Sequence, residues 1–108
     1  GANVLGARFV GVEFTNATLS GLDMSNTNMI GADMSGADLQ NVILVNDDLR
    51  GVTFDDTNLT GANLQQVYTN GGSFHDADLT GANLKGADTS LTDLSCHGNS
   101  ICRGTDIL

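Results

Sequence analysis

Positive charge is scarce in this chain. Four Lys and Arg residues stand against thirteen Asp and Glu among 108 residues, a formal net charge of −9. That balance argues against nucleic acid as a direct ligand, since phosphate contacts need clustered basic residues. Long apolar runs are missing too, so no membrane span is read, and no targeting segment is recognised. Histidine and cysteine number two each. Cys96 and His97 are neighbours, but a fourth zinc ligand is lacking and His75 lies far along the chain, so no metal site is expected. No Ser-His-Asp or Cys-His set has a defensible geometry, and the glycines follow no G-x-G-x-x-G logic. These gaps leave no expected catalytic residue and no expected cofactor.

What the chain has is a beat of five. Every fifth residue from Val4 to Leu94 gives a column of nineteen, seventeen of them large and apolar. Two residues earlier sits a second column, mostly Ala, Val or Thr, broken sharply by Asp47. Between the two lies Asp or Asn in twelve of nineteen repeats, and two residues after the large position comes Gly, Asn or Asp in sixteen. A fixed internal period is the signature of stacked repeats.

A helix cannot use this beat. At about 100° per residue a step of five turns each large side chain by roughly 140°, and no apolar stripe forms. The fourteen glycines would weaken a helix further, each by about 1 kcal/mol relative to Ala. Short extended pieces fit. The small and large positions are two apart and point to one side, the Asp or Asn between them points outward, and the Gly or Asn that follows suits a bend. Each repeat becomes one side of a coil with a corner after it. Coils then stack at about 4.8 Å through backbone hydrogen bonds.

Undiluted copies of A-[DN]-L-x-x occur at Ala32-Asp33-Met34, Ala37-Asp38-Leu39, Ala62-Asn63-Leu64, Ala77-Asp78-Leu79 and Ala82-Asn83-Leu84. On these the chain resembles the pentapeptide-repeat proteins, over residues 2 to about 96. The resemblance implies an all-β fold, a right-handed, four-sided parallel β-helix of about five coils with four repeats per turn. Residues 1–95 are expected to form it, with 96–108 as a C-terminal cap. The beat already runs at Ala2 and Gly1 is not an initiator Met, so the chain is expected to be a processed product or part of something longer.

A spacing of twenty lines up Phe14, Met34, Phe54 and Phe74 in one core column and Leu19, Leu39, Leu59 and Leu79 in another. Sides one to four are labelled by residues 2–6, 7–11, 12–16 and 17–21 and repeat every twenty. Sides three and four then carry Glu13, Asp33, Asp38, Asp55, Asp56, Asp76, Asp78 and Asp93 with no Lys or Arg. This acidic face is either a solvated consequence of the repeat or a docking face for a basic partner. Outward apolar residues Leu5, Val10, Ile30, Ile43 and Val45 are expected to gather around an edge shared by sides one and two as a contact patch that Tyr68 could extend. Asp47 takes an inward slot, so its carboxyl is expected to be protonated, swung outward or, as the favoured reading, bonded to backbone N–H groups or to Thr27 or Thr69. His75 is expected near Asp55 in an outward column. Local irregularity is expected at Gly71-Gly72.

Cys96 and Cys102 lie where the beat fails, and a disulfide between them would close the last coil. The alternative is two free thiols. A disulfide points to an oxidising compartment, thylakoid lumen or periplasm; free thiols would point to the cytoplasm.

The expected role is a non-catalytic, protein-interaction or structural rod, monomeric or weakly dimeric, most like the small cyanobacterial and chloroplast lumenal members of the family. The alternative is an acidic mimic of DNA that binds a type II topoisomerase, as other members do. Ice binding would need aligned Thr ladders, and the outward columns are mixed.

Overall fold

The computed structural model describes residues 8–103. Its backbone is a coil stitched by parallel single-residue bridges, one per repeat, from Arg8↔Asn28 onward. Each joins residues twenty apart through Ser73↔Asp93, so four five-residue repeats make one turn. With the labels above, coil two spans 22–41, coil three 42–61 and coil four 62–81. The bridged residue is the middle one of each repeat, and its neighbours on both sides point inward.

Bends close by a fixed device. The first amide of most new repeats donates to the large residue's carbonyl three positions back, as in Ala32 N to Met29 O (2.9 Å) and Ala62 N to Leu59 O (2.9 Å). The residue before that amide has positive φ at every corner from Gly11 to Leu91, between 56° and 76°. Positive φ at the third position is the mark of a type II turn. This is why Gly, Asn and Asp recur there. Gly36 shows the second requirement: a Cβ at its position would collide with the Asn16 side-chain oxygen of the coil below.

Inside the coil the large and small columns fill the space. Met24, Met29, Met34, Leu39, Leu44, Leu49, Phe54, Leu59, Leu64, Phe74 and Leu79 are all 0–1 % exposed. Phe54 and Phe74 stack with ring centroids 4.9 Å apart and planes 4° from parallel, a separation that copies the strand spacing. Phe14 and Leu19 head the same two columns but are only partly buried, because they lie towards one end. Phe9 meets Phe14 edge-on at 5.3 Å. Thr57 takes a small inward slot and donates its hydroxyl to Phe54 O (2.7 Å), so its one polar group is satisfied locally.

The expected irregularity near Gly71-Gly72 is visible in the ladder. Gly71 N donates to Leu91 O, one residue beyond the regular partner, while the Asn70 amide takes Ser90 O. Thr69 and Thr89 hold large slots here, and the Thr69 and Thr92 hydroxyls meet at 2.9 Å. A Cβ on Gly72 would sit 2.6 Å from Val52 O, so the corner accepts no larger residue without moving.

The coil ends in a register slip. The last bridge is Asp78↔His97, nineteen apart. One residue is dropped after Leu94, so Cys96 occupies the small inward slot. Beyond it the Asn99 amide nitrogen donates to Leu79 O (3.2 Å) and Ala82 O (3.0 Å), and Arg103 N donates to Leu94 O (2.7 Å). Ile101 and Cys102 pack against the core.

Candidate interaction surfaces

The middle residue of each repeat turns its side chain outward, but it does not simply face water. Asp33 Oδ1 accepts from Ser35 N (2.9 Å) and from the Ser35 hydroxyl (2.6 Å). Asp78 with Thr80, Asp88 with Ser90 and Asp93 with Ser95 repeat the arrangement. Asn58 with Thr60 does so as well. The side chain bonds the backbone two residues on, an Asx turn that holds the chain as it enters the corner. These bonds favour the ionised form. The Ser and Thr hydroxyls, and then the amides, hold the Asp33, Asp78, Asp88 and Asp93 carboxyls below the usual carboxylate range. Asp48 is held down by the Arg50 guanidinium at 2.6 Å. The D-x-[ST] spacing in the sequence is the signal that marks these turns.

The acidic half therefore has two kinds of member. Asp33, Asp38, Asp78 and Asp93 are repeat carboxylates fixed by their own backbone, and Glu13 takes the same middle slot on side three. Asp55, Asp56 and Asp76 instead lie at the corners between sides three and four. Asp55 accepts from the Ser73 hydroxyl (2.5 Å) and from His75 N (3.2 Å). The His75 ring turns away from Asp55. Its Nδ1 lies 2.8 Å from Ser95 Oγ and its Nε2 3.2 Å from Asp76 Oδ2. The expected Asp55–His75 pairing is thus made through the backbone amide and not the imidazole. The group lies on an open face, where such ion pairs contribute little.

The apolar residues do not converge on one edge. Val10 and Ile30 lie in the turns between sides two and three; Ile43 is mid-side one, and Val45 is in the turn that follows it. Val10 is 42 % exposed, while Ile30, Ile43 and Val45 are partly covered. Leu5 lies outside the described residues. Tyr68 stands 53 % exposed on side two. It is flanked by one cleft lined by Asn46, Gln66 and Gly86 and another by Asp48, Arg50 and Asn70. Among the described residues no group of His, Cys, Asp or Glu is arranged to hold a metal, and no helix is long and apolar enough to cross a membrane.

Two groups sit inside. The Cys96 and Cys102 sulfurs are at bonding distance, 2.11 Å, with Cα atoms 5.0 Å apart. Asp47 is fully buried. Its Oδ1 accepts from Thr27 N (2.9 Å) and its Oδ2 lies 3.0 Å from Thr27 Oγ1. Thr69 is not among its partners. Burial, opposed by the bonds from Thr27, pushes the Asp47 carboxyl up to about 7.

The family model described as pentapeptide repeats matches residues 1–29, 7–46, 32–68 and 57–95, in 8 copies. Among solved structures, a pentapeptide repeat protein from the cyanobacterium Cyanothece 51142 is 24 % identical; the match covers 90 % of this chain and 88 % of that one, with a TM-score of 0.46. A pentapeptide repeat protein of the Arabidopsis thaliana thylakoid lumen is also 24 % identical, covering 84 % and 67 %, with a TM-score of 0.34. QnrB1, a plasmid-mediated fluoroquinolone resistance protein, is 14 % identical, covering 82 % of this chain but 49 % of its own, with a TM-score of 0.47. No curated protein matches the chain.

Proposed function

This chain belongs to the pentapeptide-repeat family, and from that premise we propose that it is a non-catalytic rod, wound right-handed, that works by presenting its outer faces to a protein partner. One observation carries the reading. The interior is filled by side chains and the outer carboxylates are bonded to their own backbone, which leaves a stiff charged surface as the feature available for recognition. Complementary charge at such a surface raises association rate and selectivity more than affinity. Sides three and four are the proposed docking half. Residues 96–103 act as a cap tied by the Cys96–Cys102 disulfide, which suits an oxidising compartment.

The test places a photo-crosslinking residue at Asp56 on side three or at Lys85 on side one, in otherwise native protein. The reading expects one recurrent partner captured from Asp56 and not from Lys85, with capture weakened by salt. Equal or absent capture from both positions removes it.

A second reading, binding to a type II topoisomerase in place of DNA, is favoured by the row of carboxylates held ionised on sides three and four. It expects inhibition of gyrase supercoiling at low salt that fades steeply as salt rises. No inhibition at any salt eliminates it.

A further inference from the structure

The corner at Thr27 departs from the fold's regular closure. At most other corners the fourth residue's amide closes the turn onto the large residue's carbonyl, as Ala32 N does to Met29 O. Here the Thr27 amide rises to Asp47 Oδ1 of the next coil, and the Thr27 hydroxyl lies 2.9 Å from Met24 O in its place. The same hydroxyl is 3.0 Å from Asp47 Oδ2. Three acceptors therefore meet two donors: Met24 O and both Asp47 oxygens face one N–H and one O–H. The nearby Asn26 amide is shared between Val45 O (3.3 Å) and the Asp47 carboxyl, which adds one donor and one acceptor and leaves the set one proton short.

A proton on Asp47 completes the set. Its O–H then donates to Thr27 Oγ1, whose own proton goes to Met24 O, while the Thr27 amide keeps Oδ1. Without that proton, Thr27 must choose between a buried carboxylate and a carbonyl left bare, and either choice leaves a buried polar group unsatisfied. We propose that Thr27 and Asp47 form a proton-operated clasp between coils two and three, closed when Asp47 holds its proton and loosened when it does not.

The surroundings agree. Asp23 is the charged group acting on Asp47 from coil two, and it too favours the neutral form. Asp48 is the next residue along the chain but faces outward, paired with Arg50. On coil four the facing residue is Val67, which is apolar and buried. Loosening would reach the surface, because Tyr68 N donates to Asp47 O (3.2 Å) and Tyr68 lines the cleft beside Asn46.

The direction in pH follows from linkage. Asp47 titrates near 7 in the folded chain and near ~3.9 when unfolded. The stabilisation from its proton is complete below the unfolded value. It declines as pH climbs through that window, and it is gone above the folded value. The apparent unfolding constant should rise by up to about tenfold per pH unit in between.

The experiment compares wild type with Asp47→Asn, whose amide supplies the missing donor at every pH. Urea midpoints are measured from pH 5 to 8.5, with fluorescence of Tyr68 as the local reporter; the chain has one Tyr and no Trp. The clasp predicts a midpoint and a Tyr68 signal that change up to about pH 7 in wild type and lose that change in Asp47→Asn, other groups cancelling between the two. Parallel profiles in both proteins overturn it. In unmutated protein, the 13C shift of the Asp47 carboxyl should titrate near neutrality, and titration near pH 4 would also refute the clasp.

Discussion

A single residue, Leu91, shows what the repeat asks of each position. It occupies the corner slot with φ of 56° and is 88 % exposed. It therefore bears left-handed strain with little packing in return. A non-glycine residue in that region costs about 1–2 kcal/mol, partly offset in glycine by its freer unfolded chain. Leu91→Gly should stabilise by about 1 kcal/mol and raise the melting temperature by about 4 °C in a domain of this size. A calorimetric scan decides it, and a lowered temperature would show that the Leu91 side chain packs usefully. At this scale the sequence was legible where a position has one job. Corner residues and core columns could be read from type alone. Asp47 was visible as a break in the small column, yet its partner was not, because Thr27 and Thr69 lie on the two adjoining coils and only side-chain direction separates them. The Asx carboxylates were not legible, for the opposite reason. An outward Asp looks like a solvated charge until its neighbour's amide is placed.

At the scale of the coil, stacking between successive turns replaces a conventional core. Phe54 is covered above by Phe74 and below by the methionine-lined coil, so Phe54→Ala should cost about 3–5 kcal/mol. Phe14 sits in the same column but is only partly buried, and the same change there should cost less. Denaturant titration of both variants measures the gradient, and equal losses would contradict the burial pattern. The segment 96–103 is a different element. Asn99 and Arg103 already bind it to the coil by hydrogen bonds, so the disulfide acts mainly on the unfolded chain. Closing so short a loop is worth about 2 kcal/mol. Reductant should lower stability by that amount without releasing the coil, as read by melts with and without dithiothreitol. A change in the coil near this point was foreseeable because the beat fails after Leu94. The dropped residue that lets Cys96 fill an inward slot was not, since a one-residue slip leaves no trace in a pattern that has already ended.

Across the whole molecule, burial is complete only in the middle. The core from Met24 to Leu79 is closed, whereas Phe9, Phe14, Leu19 and Leu22 towards one end and Ala82, Leu84 and Ala87 towards the other are only partly covered. Stability in stacked repeats is a sum over neighbours, and an end coil has fewer of them. Hydrogen exchange should therefore be slowest for amides between Met24 and Leu79 and quicken towards both ends. A flat protection profile would mean that the rod opens as one unit.

The twenty-residue bridge spacing also limits how such a molecule can vary in length. Removing or duplicating any contiguous block of twenty, such as 37–56, returns every later residue to its own side and restores a bridge of the same kind. A block of five keeps inward groups inward but rotates all that follows by a quarter turn, carrying the carboxylates of one face onto another. Natural variants and engineered ones should tolerate whole-turn edits far better than quarter-turn edits, and genes of this type are expected to change size in steps of sixty bases.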